Sequence, residues 1–237
     1  MQKSLRAEYN SVMLSSNMKE IKVCNKCVMD STDPLISFDS NGVCNHCIEA
    51  KEKLRLGWFP NAQGEEYLKS VSYEIRQHGT NKEYDCIIGV SGGVDSSYLL
   101  HVAKNIMKLR PLVVHVDAGW NSEIAVKNIE HLVKALDLDL YTYVVDWEEM
   151  KDLQLAFLKA SVANQDIPQD HAFFAKLYDY ASKNKIKYII NGSNLSSESI
   201  LPQSWGYDAS DLSHILGIHK KFGQLKLKSY PMMGFFK

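Results

Sequence analysis

Two stretches of this sequence carry residues whose types and spacing could do chemistry. The first is Cys24-Asn25-Lys26-Cys27 and, after sixteen intervening residues, Cys44-Asn45-His46-Cys47. Two thiolates on one tight turn can reach the same ion, and two such knuckles complete a tetrahedron of soft ligands. The spacing falls within the zinc-ribbon range. Cys24, Cys27, Cys44 and Cys47 are therefore read as ligands of a structural Zn2+. An iron–sulfur cluster, which thiolates also hold, and a redox pair are the alternatives. A closed four-thiolate site leaves no position for water, so its role would be folding or docking. His46, between two ligands, is expected to face solvent. Cys86 falls mid-strand and reads as a small buried hydrophobe. Five cysteines, an odd number mostly in CxxC pairs, point away from a disulfide framework.

The second stretch is "IIGVSGGVDSSYLL", residues 87–100. An apolar run breaks at Ser91-Gly92-Gly93 and resumes with helical character. A loop that ends a strand and opens a helix presents free backbone N–H groups and the positive end of the helix dipole. Gly92 and Gly93 let the backbone approach an anion and permit positive φ. Ser91 and Ser96 add hydroxyl donors. Asp95 suits a phosphate site only with a divalent cation between them, so Mg2+ is expected. The lysine of a Walker A loop is missing, and the glycines do not fit G-x-G-x-x-G. Ser91-Gly92-Gly93-Val94-Asp95-Ser96 instead resembles the SGGxDS signature of the PP-loop ATP pyrophosphatases. That resemblance implies cleavage of ATP between its α- and β-phosphates, with AMP and pyrophosphate as products. It implies Ser91, Asp95 and Ser96 as catalytic residues, and Val90 to Ser96 as the nucleotide loop, including Val94.

The elements that must position these residues alternate. Strand-like runs cover 84–90, 111–117, 140–146 and 186–191, with a weaker candidate at 224–229. Amphipathic helical stretches cover roughly 95–109, 121–137, 148–162 and 169–184. Val/Ile-rich strands separated by helices predict an α/β fold with a parallel, doubly wound sheet. Tyr67, Leu68, Val71 and Ile75 recur at helical spacing in 61–80. The expected organisation is a polar leader over 1–20, a zinc ribbon over 21–60, a linking helix over 61–83 and the nucleotide domain over 84–237. The apolar end, Pro231 to Lys237, carries no stop signal and reads as the edge of a longer protein.

Bulk properties exclude some function classes. The formal net charge is −1 and charged residues make up 23%, which argues against a nucleic-acid-binding face. Apolar runs fall short of the ~20 residues of a membrane span. The first 20 residues lack the apolar core of a secretion signal, so the cytoplasm is the expected location.

A longer resemblance covers residue 22 to the C-terminus. "KVCNKCVMDSTDP", "FDSNGVCNHC", "GVSGGVDSSYLLHVA", "HVDAGWNSEIAVKNI", "NQDIPQDHAFFAKLYDYA" and "IINGSNLSSES" together resemble the N-acetyl sugar amidotransferases of surface-polysaccharide and flagellar-sugar biosynthesis. It implies a five-stranded sheet of order 3-2-1-4-5. It implies adenylation of the acetamido oxygen of a nucleotide sugar, then attack by ammonia to give an acetamidino sugar. It further implies ATP, Mg2+ and a class I glutaminase subunit of the histidine-biosynthesis type as ammonia source, with a cyclase-like companion admitted and the ribbon as docking surface. Two other readings stay open: a zinc-ribbon PP-loop enzyme of tRNA thiolation, and a nucleotide-binding fragment without catalysis.

Weaker candidates lie where strands end. Asp117 could contact the nucleotide or cap a helix. Gly192, Ser193 and Asn194 resemble a second nucleotide or substrate loop. Trp120 could stack on a base or simply pack. Asp166, Asp170 and His171 could form a carboxylate–imidazole pair for proton transfer, or serve as a helix start. Glu198, Trp205 and Tyr207 could contact sugar or form an ordinary loop.

Overall fold

Ile88 and Val90 pack into one buried apolar cluster and Ile87 into another. A strand with both sides buried belongs inside a sheet with helices on both faces, as its apolar run demands. The computed structural model of the chain describes residues 21–193, 195, 202, 204 and 208–234. The leader over 1–20, and Asn194, Glu198, Trp205 and Tyr207, lie outside the described residues.

Among the described residues the strands are β1 (Cys86–Gly89), β2 (Pro111–Asp117), β3 (Leu140–Val144) and β4 (Tyr188–Ile190). They form one four-stranded sheet of order β3-β2-β1-β4, every neighbouring pair parallel. The helices are α1 (Asn45–Gly57), α2 (Ala62–His78), α3 (Val94–His101), α4 (Glu123–Leu136), α5 (Trp147–Lys159), α6 (Ile167–Lys183) and α7 (Leu212–Phe222). A π-helical turn, Val102–Ile106, continues α3. The expected helix over 95–109 is thus shorter and changes winding. Helix α1 was not anticipated within the ribbon.

Ile75 of α2, Leu100 of α3 and Ile129 of α4 cover one face with Ile88 and Val113. Leu177 and Ala181 of α6 cover the other with Ile87, Leu112 and Val114. A third cluster joins Met150, Leu153 and Phe157 of α5 to Ile167, Ile215 and Tyr230. The amino edge of the sheet is pinned by Arg110, whose guanidinium donates to Asp85 Oδ1 at 2.6 Å and to the carbonyls of Lys82 and Gly79.

The segment 224–229 is not a strand, which corrects the expectation of a fifth. Its alternating QLKLKS pattern fits a strand, but its backbone donors have other partners. Asp152 of α5 accepts from the N–H groups of Gln224 and Leu225. Glu149, one helical turn earlier, accepts from Lys228, Ser229 and Tyr230. His219 Nε2 donates to Asp152 at 3.0 Å. Two buried carboxylates thus replace the neighbouring strand as acceptors and strap the C-terminal segment over α5.

Burial alone would push both carboxyls up, but the backbone N–H donors prevail and hold Glu149 and Asp152 below the usual carboxylate range. A folded value below the unfolded one adds stability above pH ~4 and loses it as pH falls through the folded values. Glu149→Gln puts an amide where three N–H groups converge, and should cost about 1.5–3 kcal/mol at pH 7. Urea unfolding at pH 7 and pH 3 should show that difference shrinking in acid. An equal loss at both pH values would contradict the assignment.

Candidate nucleotide and metal sites

The cysteine pairs converge. All four Sγ atoms lie within 4.8 Å of one another, with Cys27–Cys44 at 3.7 Å and Cys24–Cys47 at 4.0 Å. A tetrahedral ion with metal–sulfur bonds of ~2.3 Å needs edges of ~3.8 Å, so the donor set fits zinc. Backbone N–H groups of Lys26 and Cys44 reach Cys24 Sγ, each at 3.3 Å. Burial opposes ionisation there, yet these donors bring the Cys24 thiol down to about 6. Cys44 caps α1, its sulfur accepting from Cys47 N, which is how the second knuckle is held in place. Asn25 clasps the two knuckles together: its N–H donates to Gly42 O and its amide to Asn41 O.

His46 does not face solvent as expected. It is buried and paired with Asp33 at 2.6 Å. The other Asp33 oxygen accepts from Ser204 Oγ at 2.6 Å, so this buried carboxylate joins the knuckle to the segment that follows β4. Metal analysis of protein purified without chelator should find about one zinc per chain, with Cys44→Ser losing it. Iron with acid-labile sulfide instead would make the site a cluster.

At the carboxyl end of β1, Val90 leads into Ser91-Gly92-Gly93. Gly92 has φ +77°, and a Cβ there would lie 2.5 Å from Ala125 O and 2.8 Å from Ala125 Cα. No side chain could be accommodated without displacing the start of α4. Asn128 of α4 donates to Gly92 O at 3.2 Å, locking the loop onto that helix. Gly93 occupies the N-cap of α3 and supplies no side-chain cap. Ser91 Oγ and Ser96 Oγ lie 3.3 Å apart, and Ser96 Oγ accepts from Ser91 N. Ser97 Oγ donates to Gly93 O at 2.7 Å. Val94 and Asp95 are exposed in the first turn. The hydroxyls, an uncapped helix start and one exposed carboxylate fit a phosphate chain carrying a divalent cation.

Neighbouring strand ends complete the edge. Asp117 accepts from Gly119 N at 2.8 Å, and Ser122, not Asp117, caps α4. Gly192 lies against the loop: a Cβ on it would sit 3.5 Å from Asp95 C and Ser96 N. Ser193 donates through N and Oγ to Asn191.

One contributor had no sequence signal. His115 is buried in β2; its Nδ1 donates to Val90 O at 3.0 Å, and its Nε2 accepts from Asn121 Nδ2 at 3.0 Å. The Val90 carbonyl can only accept, which puts the proton on Nδ1 and leaves Nε2 to accept from the Asn121 NH2. The ring ties the start of the loop to the segment after β2.

The structure removes two candidates from chemistry. His171 is fully buried, with Nδ1 donating to Ala209 O at 2.7 Å and Nε2 accepting from Met233 N at 3.1 Å. Both nitrogens are spent on the backbone, and burial drives its pKa down, so the Asp170–His171 proton-transfer pair is not formed. Asp170 lies within the first turn of α6, behind the N-cap Asp166, with its carboxyl pushed up by burial and then by Asp166. Cys86 is buried as expected, its thiol pushed up to about 12 by burial and Asp85, which leaves negligible thiolate near neutral pH.

Comparison with known proteins gives a class. Residues 85–193 match the family model described as "Phosphoadenosine phosphosulfate reductase domain". That match, over less than half of the chain, and the SGGVDS loop support a nucleotide-binding domain of the PP-loop ATP pyrophosphatase type. An uncharacterized protein of Methanocaldococcus jannaschii is 28% identical over 129 residues, 54% of this chain and 44% of that protein. This chain therefore spans less than half the length of that relative. Among solved structures, the NH3-dependent NAD synthetase of Campylobacter jejuni is 17% identical, covering 67% of this chain and 76% of its own at a TM-score of 0.42. NMN synthetase of Francisella tularensis is 16% identical, covering 71% and 77%, at 0.40. Likeness at that level carries no functional inference. Among the described residues no helix is long and apolar enough to cross a membrane.

Gly92→Ala should cost about 1–3 kcal/mol through backbone strain alone and weaken Mg-ATP binding at least tenfold. Chemical denaturation and calorimetric titration check the two effects. ATP binding as in the wild type would show that the loop conformation is not required.

Proposed function

We propose that this chain is an ATP-dependent amidotransferase acting on an N-acetylated nucleotide sugar. The observation that carries the reading is the loop itself: a left-handed Gly92 wedged against α4, with Ser91 and Ser96 paired over an uncapped start of α3. This arrangement would suit the pyrophosphate that leaves in an adenylation, because backbone N–H groups, hydroxyls and helix dipole converge where its negative charge would accumulate. Val90, Ser91, Gly92, Gly93, Val94, Asp95 and Ser96 would cradle the β- and γ-phosphates. Asp95 would hold Mg2+, which supplies charge neutralisation on the leaving group. Asp117 and the Gly192-Ser193-Asn194 loop would bound the nucleoside and acceptor.

The reaction follows from what an amide lacks. Its oxygen is a poor leaving group and its carbon a poor electrophile. The acetamido oxygen attacks the α-phosphorus, the bond to the β-phosphate breaks, and pyrophosphate departs. Ammonia adds to the resulting imidate carbon, a proton is lost, and AMP leaves with the oxygen. The residues of this chain orient the acceptor oxygen in line with the α-phosphorus and stabilise the departing charge. Neither buried Cys86 nor the clustered cysteines suit a glutaminase nucleophile. Ammonia would therefore come from a separate class I glutaminase, with the ribbon as its docking surface. The sugar would serve a lipopolysaccharide O-antigen or flagellar glycan.

The test is incubation with ATP, Mg2+, ammonium and UDP-diacetamido sugars, followed by mass spectrometry. The expected product is a sugar about one mass unit lighter, oxygen having been exchanged for NH. Glutamine in place of ammonium should give none without the partner. Unchanged sugar, with AMP released instead in the presence of tRNA and a sulfur donor, would replace this reading with thiolation.

A further inference from the structure

A cavity of about 410 Å3 opens beside the segment that follows β2. It is lined by Trp120, Gln154, Leu158, Gln165, Asp166 and Gln169, drawn from that segment, α5, and the start of α6. The volume falls within the roughly 300–1,000 Å3 of small-molecule sites. We propose that this cavity is the acceptor subsite and receives the uncharged, hydroxyl-rich ring of a carbohydrate. This rests on the amidotransferase reading, which requires an acceptor next to the nucleotide loop.

The lining selects the ligand class. Gln169 can both donate and accept, and Gln154 can donate through its NH2 while its oxygen takes the Trp120 N–H, which matches hydroxyl groups that do both. None of the described lining residues is cationic, and Asp166 adds a carboxylate, so a phosphate or other anion is disfavoured here. Trp120 and Leu158 offer apolar surface for the C–H side of a sugar ring. Trp120 is 62% exposed but held: its Nε1 donates to Gln154 Oε1 at 2.6 Å, and its ring packs edge-on against Trp147 with centroids 5.3 Å apart. Gly119 makes that packing possible, since at φ +89° a Cβ would lie 2.4 Å from Trp147 Cε3. Gln165 donates its amide to Val162 O. A carbonyl accepts only, so Oε1 must turn the other way, where it is buried and has no hydrogen-bond partner among the described residues. That oxygen is enclosed within the wall, and only a rotation of the amide that gives up the Val162 bond would turn it toward a ligand.

One lining residue, Trp120, precedes a residue that is hydrogen-bonded toward the loop. Val90 O accepts from His115, His115 accepts from Asn121, and Asn121 adjoins Trp120. An acceptor seated against Trp120 would touch a segment that is joined through Asn121 and His115 to the first residue of the nucleotide loop.

The test uses the whole chain with Trp120→Ala and Gln169→Leu. Binding of UDP-N-acetylglucosamine is followed by saturation-transfer NMR, and Mg-ATP binding by calorimetry on the same samples. The expected result is sugar-ring saturation in the wild type, at least tenfold weaker sugar binding in both variants, and ATP binding within about twofold. Equal sugar binding in wild type and variants would place the subsite elsewhere. Loss of ATP binding in parallel with sugar would assign the cavity to the nucleoside and overturn the proposal. No sugar binding to the wild type, even with ATP present, would also overturn it. Product formation is scored separately with UDP-diacetamido sugars. Cavity-dependent binding without conversion supports the subsite and rejects the reaction. Conversion unaffected by both substitutions supports the reaction and rejects the subsite.

Discussion

Gly92 leaves no room for a side chain, and the rest of the site follows from that. Its left-handed backbone sits on the first turn of α4, close enough that a single Cβ would collide with Ala125. A chain that turns so tightly after a strand must start its next helix with unsatisfied N–H groups pointing outward. Ser91 and Ser96 are folded back across that opening, and Asn128 holds the Gly92 carbonyl from behind. The proposed anion site is therefore shaped by packing between two helices and a strand end, and only secondarily by the side chains within the motif.

Around this point the molecule uses polar groups as joints. His115 fastens the segment after β2 to the carbonyl that precedes the loop. Glu149 and Asp152 collect five backbone N–H groups between 224 and 230. Asp33 connects the cysteine module, through His46, to Ser204. Each joint spans a long sequence separation and buries its acceptor, so each is satisfied only when distant segments are correctly placed. That makes them costly to break and specific in what they select.

The chemistry-bearing parts were legible because their signals are local. The CxxC spacing anticipates the sulfur cluster, and SGGVDS between an apolar strand and a helix anticipates the loop. The four longer Val/Ile-rich runs appear as the four parallel strands. The failures share one cause. The alternation in 224–229 is a true strand pattern, overridden by two carboxylates on a helix some seventy residues earlier. His46 looked like an exposed knuckle residue because nothing local reveals Asp33 as its partner. For His171 the helix-start reading holds and the proton-transfer one does not, because both its nitrogens bond backbone groups far along the chain. The role of His115 and the approach of Gln154 and Gln165 to Trp120 have no short-range signature.

The central claim is that the Ser91–Ser96 loop supports cleavage of ATP at its α–β bond. The most direct measurement is 31P NMR of the nucleotide during turnover with Mg2+, ammonium and an acceptor sugar. The account predicts AMP and pyrophosphate appearing together, dependent on the acceptor and lost in Asp95→Asn. ADP and inorganic phosphate, or AMP formation indifferent to Asp95, would contradict it.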